Sequence, residues 1–209
     1  MKSPLVIDYY SDILCVWAWI AQHRLDELNK LLGGNIDIQY HYLDVFGNAV
    51  NKIPTQWQEK GGYKGFSTHV KESAAQFEDV QINADIWSKV RPTSSANPHL
   101  VLKAVEQSYS KQKSTELALL FRKAFFVNAL DISSLDILFN IINEFGLQSD
   151  NVNEKLIDGG AMAALMGDYQ QAKTLSLKGS PSYIIDNGRQ TLYGNVSYRV
   201  LLANIEALL

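Results

Sequence analysis

The order in which hydrophobic periodicity changes along the chain most constrains the fold. Residues 4–10 form a short apolar run, rich in β-branched and aromatic side chains, with the length of a β-strand. Apolar residues then recur at helical spacing over residues 17–32, and Gly33 and Gly34 follow as residues that commonly end a helix. Residues 36–43 alternate apolar and polar side chains, which is typical of a second strand. A strand–helix–strand unit of this kind favours a parallel pair.

The middle of the chain, from about residue 45 to residue 176, predicts helices and no strong strand. Residues 52–90 are weakly patterned and interrupted by glycines, so we expect loops and short helices there. Asn97 and Pro98 predict a helix start, because a cap residue is followed by a first-turn proline. That helix should extend to about residue 109.

Three more helical stretches are expected before the chain returns to strands. One covers residues 114–127, and the next covers residues 133–145, where Ser133 and Asp136 have the spacing of a capping box. A last stretch, capped by Asn151, should reach about residue 175.

The carboxyl end predicts a hairpin and a closing helix. Asn187-Gly188 lies between two apolar runs, which is the strongest short-range signal for a β-hairpin, and residues 197–209 return to helical spacing. The order is therefore β-α-β, a helical block, then β-β-α, which predicts an α/β fold. We expect one α/β unit made of residues 1–44 and 176–209, with residues 45–175 inserted as an all-helical domain between the second and third strands.

Charge and residue counts exclude several classes of function. The chain has 19 Lys and Arg against 22 Asp and Glu, so it lacks the basic excess that nucleic-acid binding requires. The four histidines lie far apart in the sequence, and the single cysteine excludes an internal disulfide and a cysteine-built metal site. We therefore expect neither a nucleic-acid partner nor a metal.

Targeting signals are weak. The amino-terminal segment has one lysine and an apolar run interrupted at Asp8, which is too short for a secretory signal. No window approaches the roughly 18 apolar residues that would cross a bilayer. We expect a cytoplasmic protein with no membrane partner, and a lone cysteine fits such a reducing compartment.

The single cysteine, Cys15, lies where the first predicted strand meets the first predicted helix. The unpaired N–H groups and the dipole of a helix start favour a thiolate there. A free thiol is only about 3% ionised at pH 7, and about 90% ionisation requires a pKa drop of roughly 2.5 units, or about 3.4 kcal/mol. The dipole supplies about 0.3–1 kcal/mol, so direct N–H bonds must supply the remainder. Asp12, three residues earlier, would oppose ionisation if its carboxylate came close.

Structural roles for the same residues stay open. A lone cysteine is often a small buried hydrophobe, and Trp17 fits the apolar face of a helix without any ligand. Residues 179–182, Gly-Ser-Pro-Ser, precede the hairpin, where a proline is tolerated because a strand start does not need its N–H. The pattern alone does not predict a cis Ser180–Pro181 bond, since only about 5–6% of such bonds are cis.

Three segments resemble a known family. Residues 11–28, SDILCVWAWIAQHRLDEL, resemble the active-site segment of the DsbA family of the thioredoxin superfamily, and within it the FrnE-like branch. Residues 125–147 resemble the helical insertion of that family, and residues 177–194 resemble its Gly-x-Pro strand and hairpin. The resemblance covers almost the whole chain. It implies a thioredoxin fold with a large helical insertion and a role in thiol–disulfide exchange.

The resemblance also implies roles for particular residues. Cys15 falls on the nucleophilic cysteine, and Ser180 and Pro181 fall on the residues before and at the cis-proline, where backbone can pair with an extended substrate. Val16 replaces the usual proline of the motif, and Ala18 replaces its second cysteine. The resemblance therefore implies a monothiol site, suited to disulfide isomerisation or deglutathionylation, in which an external thiol such as glutathione resolves the mixed disulfide.

A related branch supplies an alternative function. Kappa-class glutathione transferases and 2-hydroxychromene-2-carboxylate isomerases share this layout, with serine in the place of Cys15 and glutathione bound against the Gly-x-Pro loop. A glutathione-dependent isomerase or transferase for a small aromatic or electrophilic molecule is thus the second hypothesis, with Tyr9, Trp17 and Tyr183 lining its pocket. A binding protein without turnover is the third, and a homodimer is compatible with all three. The substrate- or glutathione-binding residues implied are Trp17, Ser180, Pro181, Ser182, Gly194 and Asn195.

Overall fold

The first part of the fold is the predicted strand–helix–strand unit. The computed structural model describes residues 3–209, so residues 1–2 of the predicted thioredoxin-like unit lie outside the described residues. Strand β1 (Leu5–Ser11), helix α1 (Val16–Leu32) and strand β2 (Ile36–Tyr42) follow one another. The two strands pair in parallel, with Leu5 opposite Ile36 and Ser11 opposite Tyr42, which confirms the predicted crossover.

The predicted hairpin completes a four-stranded sheet. Strands β3 (Ser182–Ile185) and β4 (Gln190–Tyr193) pair antiparallel, and the sheet order is β2-β1-β3-β4. Asn187 in the connecting turn has a φ of 55°, a conformation that asparagine tolerates better than most residues. Helix α9 (Tyr198–Glu206) closes the chain. The thioredoxin fold predicted from the sequence is confirmed.

The chain between β2 and β3 consists of helices, with no other strand in the described residues. One isolated bridge joins Ile86 to Val90. The helices are α2 (Ala49–Gln56), α3 (Gly62–Ala74), α4 (Ala96–Ser108), α5 (Lys111–Phe126), α6 (Leu135–Glu144), α7 (Ser149–Ile157) and α8 (Gly160–Thr174). None of the helices within residues 3–209 has the length and apolarity needed to cross a bilayer.

Helix α3 departs from the prediction of loops and short helices for residues 52–90. It is a regular helix of 13 residues, although Gly65 lies within it. A Cβ atom at Gly65 would lie 1.7 Å from the carbonyl oxygen of Lys60, so only glycine permits this close approach. The glycine thus reflects backbone packing and not a break in the helix.

Helix starts also differ from the predictions. The N-cap of α4 is Ser95, two residues before the predicted Asn97. Helix α6 begins after Ser134, because the hydroxyl of Ser133 donates to the carboxylate of Asp131 at 2.6 Å and forms no capping box. Two adjacent serines offer equivalent caps in the sequence, and only this tertiary arrangement selects between them.

The predicted stretch from Asn151 to residue 175 is two helices. Gly159, with a φ of 81°, separates α7 from α8, and the N-cap of α7 is Gln148. A glycine in the left-handed conformation commonly ends a helix, so the two consecutive glycines at 159 and 160 are the sequence signal for the break between α7 and α8.

Helices cover both faces of the sheet. On one face, Ile7 and Tyr9 of β1 pack with α1 and α9. On the other face, Tyr10 and Ile184 pack against Ala172 of α8. A third and larger cluster joins the β1–α1 loop, including Ile13, to the inserted helices. The loop that carries Cys15 therefore shares its core with the insertion.

A charged bridge also joins the sheet to the insertion. His41 Nδ1 lies 3.0 Å from Asp168 Oδ1, and its Nε2 lies 2.9 Å from Asp8 Oδ1. Lys103 Nζ lies 2.9 Å from the other oxygen of Asp168. Burial opposes the charged form of His41, but the two carboxylates outweigh it and raise the pKa of His41.

Candidate functional site

Cys15 is the N-cap residue of α1, at the junction where the sequence predicts it. Its N–H donates to the carbonyl of Asp12 at 3.1 Å, and its carbonyl accepts from the N–H groups of Ala18 and Trp19. Only 5% of Cys15 is exposed. The loop after β1 thus forms a tight turn that holds the sulfur at the start of the helix.

The Ser180-Pro181 loop lies directly beside the sulfur. The Ser180–Pro181 peptide bond is cis, and the Cys15 thiol donates to the Ser180 carbonyl with an Sγ–O distance of 3.4 Å. The Ser180 hydroxyl accepts from the N–H of Asp12 at 2.9 Å, so the two loops are joined twice. The structure therefore brings together the two groups of residues that the sequence analysis singled out, which are 165 positions apart.

Burial decides the protonation state of Cys15. It raises the pKa of the thiol and outweighs the Ser180 side chain and the nearby amides of Ala18 and Trp17, which favour the thiolate. The carboxylate of Asp12 also raises this pKa. The Cys15 side chain forms no cap hydrogen bond with the first-turn amides, so the expected direct N–H bonds to the sulfur are not made and the helix start does not by itself produce a thiolate at neutral pH.

Asp12 is a fully buried carboxylate that fixes the loop before Cys15. Its Oδ1 accepts from the N–H of Leu14 at 2.9 Å, and its Oδ2 accepts from the N–H of Phe46 at 2.7 Å and from the Ser95 hydroxyl at 2.8 Å. Burial raises the pKa of Asp12 to about 6, although these hydrogen bonds act in the other direction. The carboxylate ties the loop to the segment after β2 and to the start of α4.

His99 fixes the same loop from the insertion. Its Nε2 accepts from the N–H of Ile13 at 3.0 Å, and its ring stacks on Tyr42 at 4.6 Å. Burial lowers the pKa of His99 to about 3, so the ring is neutral. Because Nε2 is an acceptor, the proton is assigned to Nδ1, which lies 3.5 Å from the hydroxyl of Tyr169. His99 directly follows the Asn97-Pro98 pair that predicts a helix start, and no local pattern indicates its contact with Ile13.

A cavity of about 270 Å³ lies over the sulfur. Its walls are mostly apolar, and it is lined by three basic side chains: Lys52, His69 and Lys178. None of the lining residues carries a carboxylate, so the site suits a molecule with both apolar and anionic groups. The lining residues are Leu14, Cys15, Val16, Trp17, Val45, Phe46, Lys52, Phe66, His69, Val70, Lys178, Gly179, Ser180 and Tyr193.

The structure brings some of the predicted binding residues to this cavity and places others elsewhere. Trp17 and Ser180 line it. Ser182 does not, since its hydroxyl donates to the carbonyl of Gly179 at 2.7 Å. Gly194 donates its N–H to the Pro181 carbonyl, and Asn195 accepts from Arg24 at 2.7 Å. Pro181, Gly194 and Asn195 all lie outside the cavity lining.

The proposed aromatic lining is also divided. Tyr9 and Tyr183 are fully buried against α1 and α9, where their rings pack together with centroids 5.3 Å apart. They lie outside the cavity lining, and Trp17 alone of the three faces it. Sequence analysis missed the wall formed by Phe66 and His69, because α3 was not predicted as a helix.

No metal centre is formed by the part of the chain that the structure describes. Within residues 3–209, no three His, Cys, Asp or Glu side chains come together in an arrangement that would hold an ion.

The chain is similar in sequence and in fold to known proteins. The sequence matches the family of the DSBA-like thioredoxin domain over residues 6–206. The ClpXP adapter protein SpxH of Halalkalibacterium halodurans is 23% identical over 218 residues, which cover 100% of this chain and 69% of that protein.

Two solved structures share the fold. A probable DsbA oxidoreductase from Streptomyces coelicolor matches with a TM-score of 0.78 and 16% identity, over 97% of this chain and 89% of the other. The cytosolic disulfide reductase DsbM from Pseudomonas aeruginosa, in a structure with GSH, matches with a TM-score of 0.70 and 17% identity, over 98% and 100%. At these identities the likeness shows the fold alone.

Proposed function

The chain belongs to the DSBA-like thioredoxin domain family, and we propose that it catalyses thiol–disulfide exchange through Cys15 alone, with glutathione as the second thiol. The observation that carries this proposal is the position of the only cysteine. Cys15 begins α1, its sulfur lies 3.4 Å from the Ser180 carbonyl, and a basic cavity lies over it. A thiol in this position meets a disulfide that enters the cavity.

The donor set of the cavity supports glutathione as the partner. Glutathione carries two carboxylates and one ammonium group, so its net charge is negative. Lys52, His69 and Lys178 are the polar side chains that could receive those carboxylates, and no lining carboxylate repels them. Glutathione enters as a co-substrate and not as a resident cofactor. The likeness to DsbM, whose structure holds GSH, supports the same partner.

The exchange takes place in two balanced steps. The Cys15 thiolate attacks the glutathionyl sulfur of a mixed disulfide, and a new S–S bond forms as the old one breaks. The electron pair leaves with the substrate sulfur, which takes up a proton. A second glutathione thiolate then attacks the glutathionyl sulfur on Cys15, which releases oxidised glutathione and restores the Cys15 thiol. In the net reaction the glutathionylated substrate and one glutathione become the free substrate thiol and oxidised glutathione.

The Ser180 carbonyl has a defined part in the first step. At rest it accepts the thiol hydrogen of Cys15. When an extended substrate binds, one of its backbone N–H groups would donate to the Ser180 carbonyl in place of the Cys15 thiol. Substrate binding would then remove an interaction that favours the protonated thiol, while the N–H groups of Ala18 and Trp17 continue to favour the thiolate.

A coupled assay tests the proposal. A glutathionylated peptide is incubated with glutathione, glutathione reductase and NADPH, and the consumption of NADPH is followed with wild-type protein and with Cys15→Ser. We expect catalysis by the wild type and the uncatalysed rate with Cys15→Ser. Equal rates with the two proteins would contradict exchange through Cys15.

The raised pKa of Cys15 favours one second candidate. A protonated thiol facing the cavity can donate a hydrogen bond to a glutathione thiolate, which would then attack a small electrophile. This is the glutathione-dependent isomerase or transferase. Cys15→Ser keeps a hydrogen-bond donor and should retain that activity, whereas Cys15→Ala should lose it. The exchange reaction requires sulfur and should be lost in both variants.

The third hypothesis, a binding protein without turnover, is an outcome of the same experiments. Its support is the missing second cysteine and the similarity to an adapter protein. It would be adopted if wild type and Cys15→Ser were equally inactive with both kinds of substrate. We also propose a cytoplasmic location, because the reaction needs abundant reduced glutathione and the likeness to cytosolic DsbM agrees with it. Subcellular fractionation checks this location.

A further inference from the structure

The outer edge of β2 is open along most of its length. Strand β2 pairs with β1 on one side only. The N–H of Leu43 points inward to the Ser11 carbonyl at 3.1 Å, whereas the N–H of Tyr42 points outward to Asp168 at 2.9 Å. Because these directions alternate along a strand, the N–H and C=O groups of Ile38 and Tyr40 also point outward. Within residues 3–209 these four groups have no hydrogen-bond partner.

The contrast between the two ends of β2 is informative. At the carboxyl end, the Asp168 carboxylate satisfies the outward N–H of Tyr42 and closes the edge. No such side chain covers the edge from Ile36 to Tyr40, a length of about 13 Å at the usual rise of a strand. An uncovered edge is a template for pairing with another chain.

This edge forms the floor of a groove of about 540 Å³, which we call the edge groove. Helix α1 forms one wall, and the first half of α5 forms the other. The walls are joined at one end, where the Arg122 guanidinium donates to Gln22 at 2.8 Å. The Lys111 ammonium donates to Gln39 at 3.3 Å across the mouth, where Lys111 is exposed and Gln39 is half-buried.

The edge groove is acidic. Its lining holds two basic residues, Lys111 and His41, and four carboxylates, of which Glu106 and Glu116 pair with Lys103 and Lys113. The other two carboxylates are Asp26 and Asp37. Asp26 and Asp37 are both exposed, and each accepts a hydrogen bond from a neutral side-chain amide. Gln22 donates to Asp26 at 2.8 Å, and Gln39 donates to Asp37 at 2.8 Å. These two carboxylates therefore direct uncompensated negative charge at the edge.

We propose that the edge groove binds an extended basic peptide segment of a partner protein, which adds to β2 as a fifth strand. The open N–H and C=O groups of Ile38 and Tyr40 supply the backbone ladder. Alternate Lys or Arg side chains of the peptide share one face of the added strand and meet Asp26 on the α1 side of the sheet. Asp37, on the opposite side, adds to the preference of the groove for basic partners. The site is separate from the Cys15 cavity and does not depend on exchange chemistry there.

Two synthetic peptides of opposite charge test the proposal on the full chain. The probes are acetyl-Lys-Val-Lys-Val-Lys-Val-amide and its counterpart with Glu in place of Lys. Binding is measured by calorimetry, and backbone amide signals and exchange are followed by NMR. We expect saturable binding of the basic peptide only, with slower exchange of the Ile38 and Tyr40 amides. Asp26→Lys should weaken binding about tenfold, whereas its exposed neighbour Glu27→Lys, outside the groove lining, should not.

Several results would overturn the proposal. Equal binding of the acidic peptide would remove the charge argument, and amide changes confined to other strands would remove the site. Absence of saturable binding up to about 1 mM, the weak end of specific recognition, would also refute it. The Ile38 and Tyr40 amides could also exchange more slowly when the protein concentration is raised without peptide. If sedimentation then showed a dimer, the occupant of the groove would be a second copy of this chain and not a peptide partner.

Discussion

Removing the charge of Asp12 should make Cys15 more reactive. In Asp12→Asn the buried carboxylate that raises the pKa of the Cys15 thiol is replaced by a neutral group of the same shape. Loss of a nearby negative charge favours the thiolate, so the pKa of Cys15 should fall. At an effective dielectric constant of about 20, two unit charges about 12 Å apart interact by about 1.4 kcal/mol, which equals about one pKa unit, and we expect a shift of about this size. At pH 7 this corresponds to about tenfold more thiolate.

The assay is alkylation of Cys15 by iodoacetamide between about pH 6 and pH 10, with the product followed by mass spectrometry. The variant should reach the same limiting rate as the wild type at high pH, with a midpoint about one unit lower. Asp44→Asn is the matched control, because Asp44 is exposed and lies outside the lining of the Cys15 cavity. An unchanged midpoint would refute the reasoning, since a merely structural effect would alter the limiting rate or the fold instead.

Stability gives a second readout for the same variant. Burial raises the pKa of Asp12 to about 6, above the value of about 3.9 expected in the unfolded chain. The protonated form therefore stabilises the fold fully below about pH 4, and this contribution is lost as the pH rises through 6. Two units correspond to about 3 kcal/mol. In Asp12→Asn the free energy of unfolding, measured in urea, should lose this pH dependence. The variant should also be less stable by about 1–3 kcal/mol, because one N–H is left without an acceptor.

Three further predictions concern the cavity, the charged bridge and the helical insertion. Lys178→Glu should weaken glutathione binding about tenfold in calorimetry, while Lys173→Glu, outside the cavity, should leave it unchanged. The pKa of His41 is raised by two carboxylates, so its contribution to stability is present below about pH 6.5 and is lost at higher pH; His41→Gln should remove this dependence from unfolding between about pH 6 and 8. Gly65→Ala should destabilise by about 2–4 kcal/mol, because its Cβ would lie 1.7 Å from a carbonyl oxygen, whereas Gly167→Ala in α8, with open space around it, should be neutral or stabilising by about 1 kcal/mol.

The framework of the sheet could be predicted because its signals are local. The alternation in residues 36–43 and the Asn187-Gly188 turn specify β2 and the hairpin without reference to distant residues. The starts of α4 and α6 could not be predicted well, because neighbouring polar residues compete for each cap. Only the packed structure shows that Ser133 bonds to Asp131.

The candidate site could likewise be predicted only in part. The positions of Cys15 and Ser180 followed from the order of elements and the family resemblance. The anchors of the loop before Cys15 could not be predicted, because Phe46, Ser95 and His99 lie 34 to 86 positions from the groups they bind. The direction in which the pKa of Cys15 shifts also depends on burial, which no local sequence pattern indicates.

Formation and release of a mixed disulfide on Cys15 is the central claim. Intact-mass spectrometry tests it most directly, with protein incubated first with oxidised glutathione and then with reduced glutathione. The proposed exchange predicts one glutathionyl group on Cys15 after the first incubation and its complete loss after the second. A thiol that stays unmodified in the folded protein at pH 8, or an adduct that reduced glutathione does not remove, would contradict it.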